Sequence, residues 1–270
     1  MRMLLALAIL AAAPGPAQAQ IQTQAQTQSV IEVASRDQKI RSLLLTPAAP
    51  VGSVILLAGG HGRLDLGADG SIGWGSGNQL VRTRAAYAAA GFATLVPDIA
   101  PDLKTPGGVV QGYRSGGPHG HDIGALVRHM RTIREPVVLV ATSRGAPSAG
   151  AGLRHATGSA RPDALVMTAA MLMPTGDRQP NFRNAIGGDP APARLPLLVV
   201  GHLKDTCRVT LPESIDQFRA WHGGPVDVAM LDGPPGQGDP CEARSAHGFI
   251  GLDGEVVATI AAWIRKLPHR

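Results

Sequence analysis

Residues 136–149 read PVVLVATSRGAPSA, and the parsing of this stretch decides the fold. Val137, Val138, Leu139 and Val140 form an unbroken apolar run bounded by Pro136 and by small residues. That is the pattern of a parallel-sheet strand covered on both faces. Ser143 follows at once, and Gly145, Ala146, Ala149 and Gly150 then open a helix. A strand that reverses into a helix through one serine lifts the hydroxyl above the sheet edge, and so sharp a turn needs small residues two before and two after it. Ala141 and Gly145 fill those positions, giving A-x-S-x-G.

Outward from this turn, strands and helices alternate. Residues 30–36 and 39–46 form an opening hairpin about Arg36-Asp37-Gln38. Residues 53–58 (SVILLA) are a buried strand that runs into Gly59-Gly60-His61-Gly62. The spacing predicts a helix over 79–90 that stops at Gly91, then a strand over 92–96. After a loop rich in glycine and proline, Asp122 is a candidate cap for a helix over 123–134. Further strands are expected at 164–169, 197–200 and 226–231, and helices at 212–221 and 254–266. The implied fold class is α/β, a mostly parallel central sheet with helices on both faces. No repeat or linker divides residues 30–270, which read as a single domain.

The N-terminus has a different character. Arg2 precedes an apolar run from Met3 to Ala13, and Ala17-Gln18-Ala19 suits a small-residue cleavage site. Residues 1–19 therefore read as a secretory signal peptide cleaved near Gln20, too short for a membrane span. Residues 20–29 read as a polar, disordered lead-in. The expectation is export to the periplasm or beyond. In an oxidising compartment the two cysteines, Cys207 and Cys241, are expected to pair. The net charge of +5 is scattered rather than gathered into a basic stripe, which argues against nucleic acid as a partner. Aromatic residues are only 3% of the chain, so the core must be aliphatic.

A serine hydroxyl is a weak nucleophile near neutral pH and needs a base that a third group orients. Asp205 follows the strand LLVVGH, and His247 precedes the closing helix in S-A-H-G-F. With Ser143, both fall at the carboxyl ends of strands, where open α/β sheets carry their chemistry. On these motifs the chain resembles the α/β-hydrolase-fold serine hydrolases, dienelactone-hydrolase-like enzymes and secreted esterases among them. The resemblance runs from about Val30 to the final helix, with alanine replacing the first glycine of the usual motif. It implies Ser143 as nucleophile, His247 as general base and then acid, and Asp205 as the group that holds the imidazole. Asp163, Asp177 and Asp232 are alternative acids, and His61, His119, His121 and His202 alternative bases.

In this fold the oxyanion is held by the N–H after the nucleophile, here Arg144, and by an N–H of the loop after the 53–58 strand. Gly60 and His61 are both candidates for the second donor. A Cys207–Cys241 bridge would tie the loop of the acid to the loop of the histidine. His119-Gly120-His121 resembles a metal pattern but lacks further ligands at suitable spacing, so neither metal nor organic cofactor is expected. Residues 171–194, where a lid is often inserted, look like a loop with at most a small helix, which implies an open site. The expected substrate is a small carboxylic ester. A peptidase or amidase with the same triad, and a non-catalytic binding protein on the same fold, are the alternatives.

Overall fold

The computed structural model describes residues 26–176 and 179–268; the expected signal peptide and the alternative acid Asp177 lie outside them. The chain opens with the antiparallel pair β1 (Gln26–Ser35) and β2 (Gln38–Pro47). Gln26 to Ser29, expected in the lead-in, pair instead with residues 47 to 44 of β2. An edge strand is held by backbone hydrogen bonds and needs no buried side chains, which explains how a polar stretch extends the sheet.

β3 (Gly52–Leu57) is followed by a long loop and by α1 (Gln79–Arg82) and α2 (Arg84–Ala89). The single helix expected there is broken at Thr83, whose hydroxyl donates to the Gln79 carbonyl at 2.7 Å. β4 (Phe92–Pro97) then enters the sheet, and β5 (Lys104–Thr105) and β6 (Gly108–Val109) make a small separate hairpin. α3 (Gly117–Arg131) starts six residues before the expected helix, with Pro118 in its first turn. Asp122 is consequently no cap. It sits inside α3, buried, and accepts from Ser35 Oγ at 2.7 Å and Arg36 Nε at 2.9 Å, latching the helix to the β1–β2 turn.

The second half repeats a strand–helix rhythm: β7 (Val137–Thr142), α4 (Gly145–His155), β8 (Ala164–Thr168), the one-turn α5 (Phe182–Ala185), β9 (Leu197–His202), α6 (Ser214–His222), β10 (Asp227–Leu231) and α7 (Asp253–Ile264). The sheet order is β1-β2-β4-β3-β7-β8-β9-β10, parallel from β4 onward. Side chains alternate between two cores. Val137, Leu139 and Ala141 of β7 pack with Ile123, Leu126 and Met130 of α3. Val138 and Val140 pack in the opposite layer, with Leu80, Tyr87 and Ile260 of α1, α2 and α7. Since every residue of β7 is buried, the strand carries no polar face, as its sequence requires.

Candidate active site

Ser143 occupies the turn between β7 and α4 with φ +51°, a strained value for a residue with a side chain. The strain is over-determined by hydrogen bonds. Ser143 N–H donates to the carbonyls of Thr168 and Ala169, and the Ser143 carbonyl accepts from Ala146 and Met171. The small flanking residues have a direct cause: a Cβ at Gly145 would collide with the Leu57 carbonyl, where α4 crosses close to β3. Ser143 is half-buried, on the wall of a cleft of about 600 Å³. A second hollow, of about 450 Å³, opens by Pro136 and Pro196 at the amino ends of β7 and β9 and is lined by neither Ser143 nor His247.

His247 reaches the same cleft from a 3₁₀ helix, Ala246–Gly248, just before α7. Its Nδ1 lies 3.2 Å from Asp205 Oδ2 and 2.9 Å from Thr210 Oγ1. Thr210 Oγ1 donates to the same Asp205 oxygen at 2.9 Å, while Asp205 Oδ1 accepts from Cys207 N–H at 2.9 Å. Carboxylate, hydroxyl and imidazole therefore form a closed triangle, buried in each case to within a few per cent. A proton on Nδ1 satisfies this geometry and leaves Nε2 as the basic nitrogen. No hydrogen bond joins Ser143 Oγ to His247 Nε2 among the described residues.

The cysteines are bridged, Cys207 to Cys241, with Cα atoms 4.7 Å apart. The residue whose N–H holds Asp205 is thus covalently tied to the segment leading to His247. From the other side, Arg82 of α1 donates to the carbonyls of Gly248 and Ala243 and pairs with Asp253 at 2.7 Å. The histidine loop is gripped twice.

The Gly59–Gly62 segment lies against the serine: a Cβ placed on Gly59 would be 3.1 Å from Ser143 Cβ and 3.2 Å from Asn78 Nδ2. Gly60 has φ +57°, and a side chain there would run into the Trp74 ring. The His61 ring packs at a tilt against Trp74, 3.7 Å between centroids, and burial holds its pKa below the ordinary histidine value. The N–H groups of Gly60, His61 and Arg144 donate to no other described group.

The remaining candidates separate cleanly. Asp163 lies at the amino end of β8, away from the cleft and paired with Arg131, and Asp232 is exposed and paired with Lys204. His202 accepts from Lys204 N–H at the end of β9. His119 and His121, two apart in α3, diverge: the first is buried on Ser148 Oγ at 2.9 Å, the second packs at a tilt against the His155 ring. Among the described residues, no group of three or more His, Cys, Asp or Glu could hold a metal ion. The sequence reading missed Thr210, Arg82, Asn78 and Trp74, whose parts depend on loops that meet only in three dimensions.

No protein-family model matches the chain, and no curated protein matches it in sequence. Its likeness is to solved structures. It is similar to an alpha-beta serine hydrolase homologue from Coxiella burnetii, with 16% identity and a TM-score of 0.58 over 89% of this chain and 97% of that one. A dienelactone hydrolase from Anabaena variabilis gives 13% identity and a TM-score of 0.59, covering 90% and 99%. A thermophilic esterase from Thermogutta terrifontis gives 15% and 0.57, covering 93% and 98%. At these identities the likeness speaks to the fold.

Proposed function

From the α/β-hydrolase fold of this chain, we propose that it is a serine hydrolase that cleaves carboxylic esters through Ser143, His247 and Asp205. The observation that carries the reading is one cleft lined by a serine on a positive-φ turn and by a histidine whose Nδ1 is bonded to a buried carboxylate. His247 Nε2 takes the Ser143 proton as Oγ attacks the ester carbonyl carbon. Asp205 holds the ring and stabilises the imidazolium that forms. The negative charge on the former carbonyl oxygen is met by the N–H of Arg144 and by that of Gly60 or His61. The tetrahedral species collapses, the alcohol leaves with the proton from His247, and an acyl-Ser143 remains. Water, deprotonated by His247, attacks that ester and frees the acid.

The segment between β8 and β9, whose only helical pieces among the described residues are the one-turn α5 and a 3₁₀ turn at Ala191–Ala193, supports an open site and a small or extended substrate. Among the described residues no helix is long and apolar enough to cross a membrane, and the Cys207–Cys241 bridge supports an exported enzyme. The experiment is hydrolysis of p-nitrophenyl acetate and butyrate by the mature chain beside Ser143→Ala, with peptide anilides run in parallel. Ester hydrolysis lost in the variant is the expected result. Equal rates in both would overturn the assignment of the nucleophile, and a preference for the anilides would make the enzyme an amidase.

A further inference from the structure

Behind the oxyanion loop lies a charge that the reaction scheme does not use. Arg114 belongs to a 3₁₀ helix, Tyr113–Ser115, between β6 and α3, and is 8% exposed. Among the described residues no carboxylate pairs with it. Its Nη1 donates to Ser148 Oγ at 2.7 Å, and its Nη2 to the carbonyls of Ala58, Gly59 and Gly60 at 2.9, 3.2 and 3.2 Å. The next carbonyl, that of His61, accepts from Tyr113 Oη at 2.6 Å. Two neighbouring side chains thus collect four successive backbone oxygens. Burying an unpaired guanidinium is costly, so its presence here calls for a return elsewhere.

Peptide geometry supplies that return. In a planar trans peptide the C=O of one residue and the N–H of the next point in opposite directions. With the carbonyls of Gly59 and Gly60 turned onto Arg114, the N–H groups of Gly60 and His61 are turned away from it. Arg114 and Tyr113 border a small buried void with Ser148 and His119, whereas Gly60 and Ser143 border the open cleft. The loop is the partition between the two. Its inner side is a row of acceptors on a cation, and its outer side a row of donors beside the serine.

We propose that Arg114, assisted by Tyr113, is the positioning residue of the oxyanion pocket, turning the carbonyls of residues 58–61 inward so that the Gly60 and His61 N–H groups face the substrate carbonyl. The inference rests on the reading of Ser143 as nucleophile. It also resolves the choice between Gly60 and His61 in favour of both. The arrangement acts before substrate arrives, so the donors need no reorganisation when charge develops. Burial holds its pKa below the ordinary arginine value, but a guanidinium remains charged near neutral pH, which places a positive charge behind the developing anion.

The test compares Arg114→Met, Arg114→Lys and Tyr113→Phe with the parent in p-nitrophenyl butyrate hydrolysis and in inhibition by phenylboronic acid. The boronate's tetrahedral adduct on serine places an oxygen in the same pocket, so its Ki reads the pocket directly. Arg114→Met is expected to lower kcat about 10- to 100-fold with KM changed by less than about 3-fold, and to raise the boronate Ki by the factor lost in kcat/KM. Arg114→Lys, which keeps the charge but not the fork, should fall between, and Tyr113→Phe should cost about 3- to 10-fold in kcat. If Arg114→Met does not fold, the other two variants carry the test. A folded variant with kcat and boronate Ki within about 2-fold of the parent overturns the proposal, whatever its melting temperature. So does a raised KM at unchanged kcat, which would make Arg114 a substrate-binding group. Hydrolysis that survives Ser143→Ala overturns the parent reading and this one together; Ser143-dependent hydrolysis indifferent to Arg114 overturns this one alone.

Discussion

On one wall of the cleft, Asp205 and His247 stand on separate loops joined by the Cys207–Cys241 bridge and by the Thr210 hydroxyl. On the other wall, Ser143 and residues 58–62 are fixed by the main chain and by a buried cation that gathers their carbonyls. The histidine wall is built from side chains on loops distant in sequence, and a cross-link limits their relative drift. The serine wall is built on the sheet, where β3 and β7 are adjacent parallel strands, and needs only to be oriented. A single site can therefore be sensitive to reductant on one side and to acid on the other.

The largest effect expected is for Ser143→Ala, a loss of at least about 100,000-fold in kcat for p-nitrophenyl butyrate, since residues that act as a unit fail together. Asp205→Asn should follow, at about 1,000- to 10,000-fold, because an amide at Oδ2 disfavours the Nδ1–H tautomer. A smaller loss than Thr210→Val would mean that the carboxylate is not what orients the ring.

The covalent tie comes next. Its cysteines are 34 residues apart, so Cys207→Ser with Cys241→Ser should lower unfolding stability by about 3–4 kcal/mol in urea melts. The same variant should lose about 3- to 10-fold in kcat below its melting temperature, as the histidine wall loosens. Full activity in that variant would leave the bridge a purely stabilising role.

Acid tests the other wall. His119, buried behind the Gly59–Gly62 loop, has its pKa pushed down to about 3 by burial and then by Arg114 and Arg36. The unfolded chain, with an ordinary histidine pKa of about 6.5, takes up this proton first as pH falls. Stability from the neutral ring is whole above about 6.5 and drains away toward about 3, with about 2 kcal/mol gone by pH 5. His119→Gln, which can keep the contact to Ser148, should flatten the difference between urea melts at pH 7 and pH 5. An unchanged difference would place the acid sensitivity elsewhere. The smallest effect expected is for Thr210→Val, about 2- to 3-fold in kcat with little change in KM, since Asp205 alone can still hold Nδ1.

Much of this architecture was legible because it is local. The run Val137–Val140 has no polar face, so it had to be a central strand, and it is. Ala141 and Gly145 marked the sharp turn because a larger residue at Gly145 would strike β3. Boundaries were less legible where the backbone, rather than side chains, decided. Gln26 to Ser29 join the sheet through an edge that asks nothing of their polarity. Asp122 looked like a cap by residue type, yet its carboxylate is claimed by Ser35 and Arg36 from a hairpin 86 and 87 residues earlier.

Periodicity and turn chemistry, then, determined by sequence alone the alternation of strands and helices and the position of the serine turn, because each depends on neighbours within a few residues. The tertiary structure decided which groups meet. The Thr210 hydroxyl in the Asp205–His247 triangle, the grip of Arg82 on the histidine loop and the four carbonyls gathered by Arg114 and Tyr113 all join elements remote along the chain. Such contacts leave no periodic trace, since a hydrogen bond between distant loops constrains one residue at each end and nothing between them.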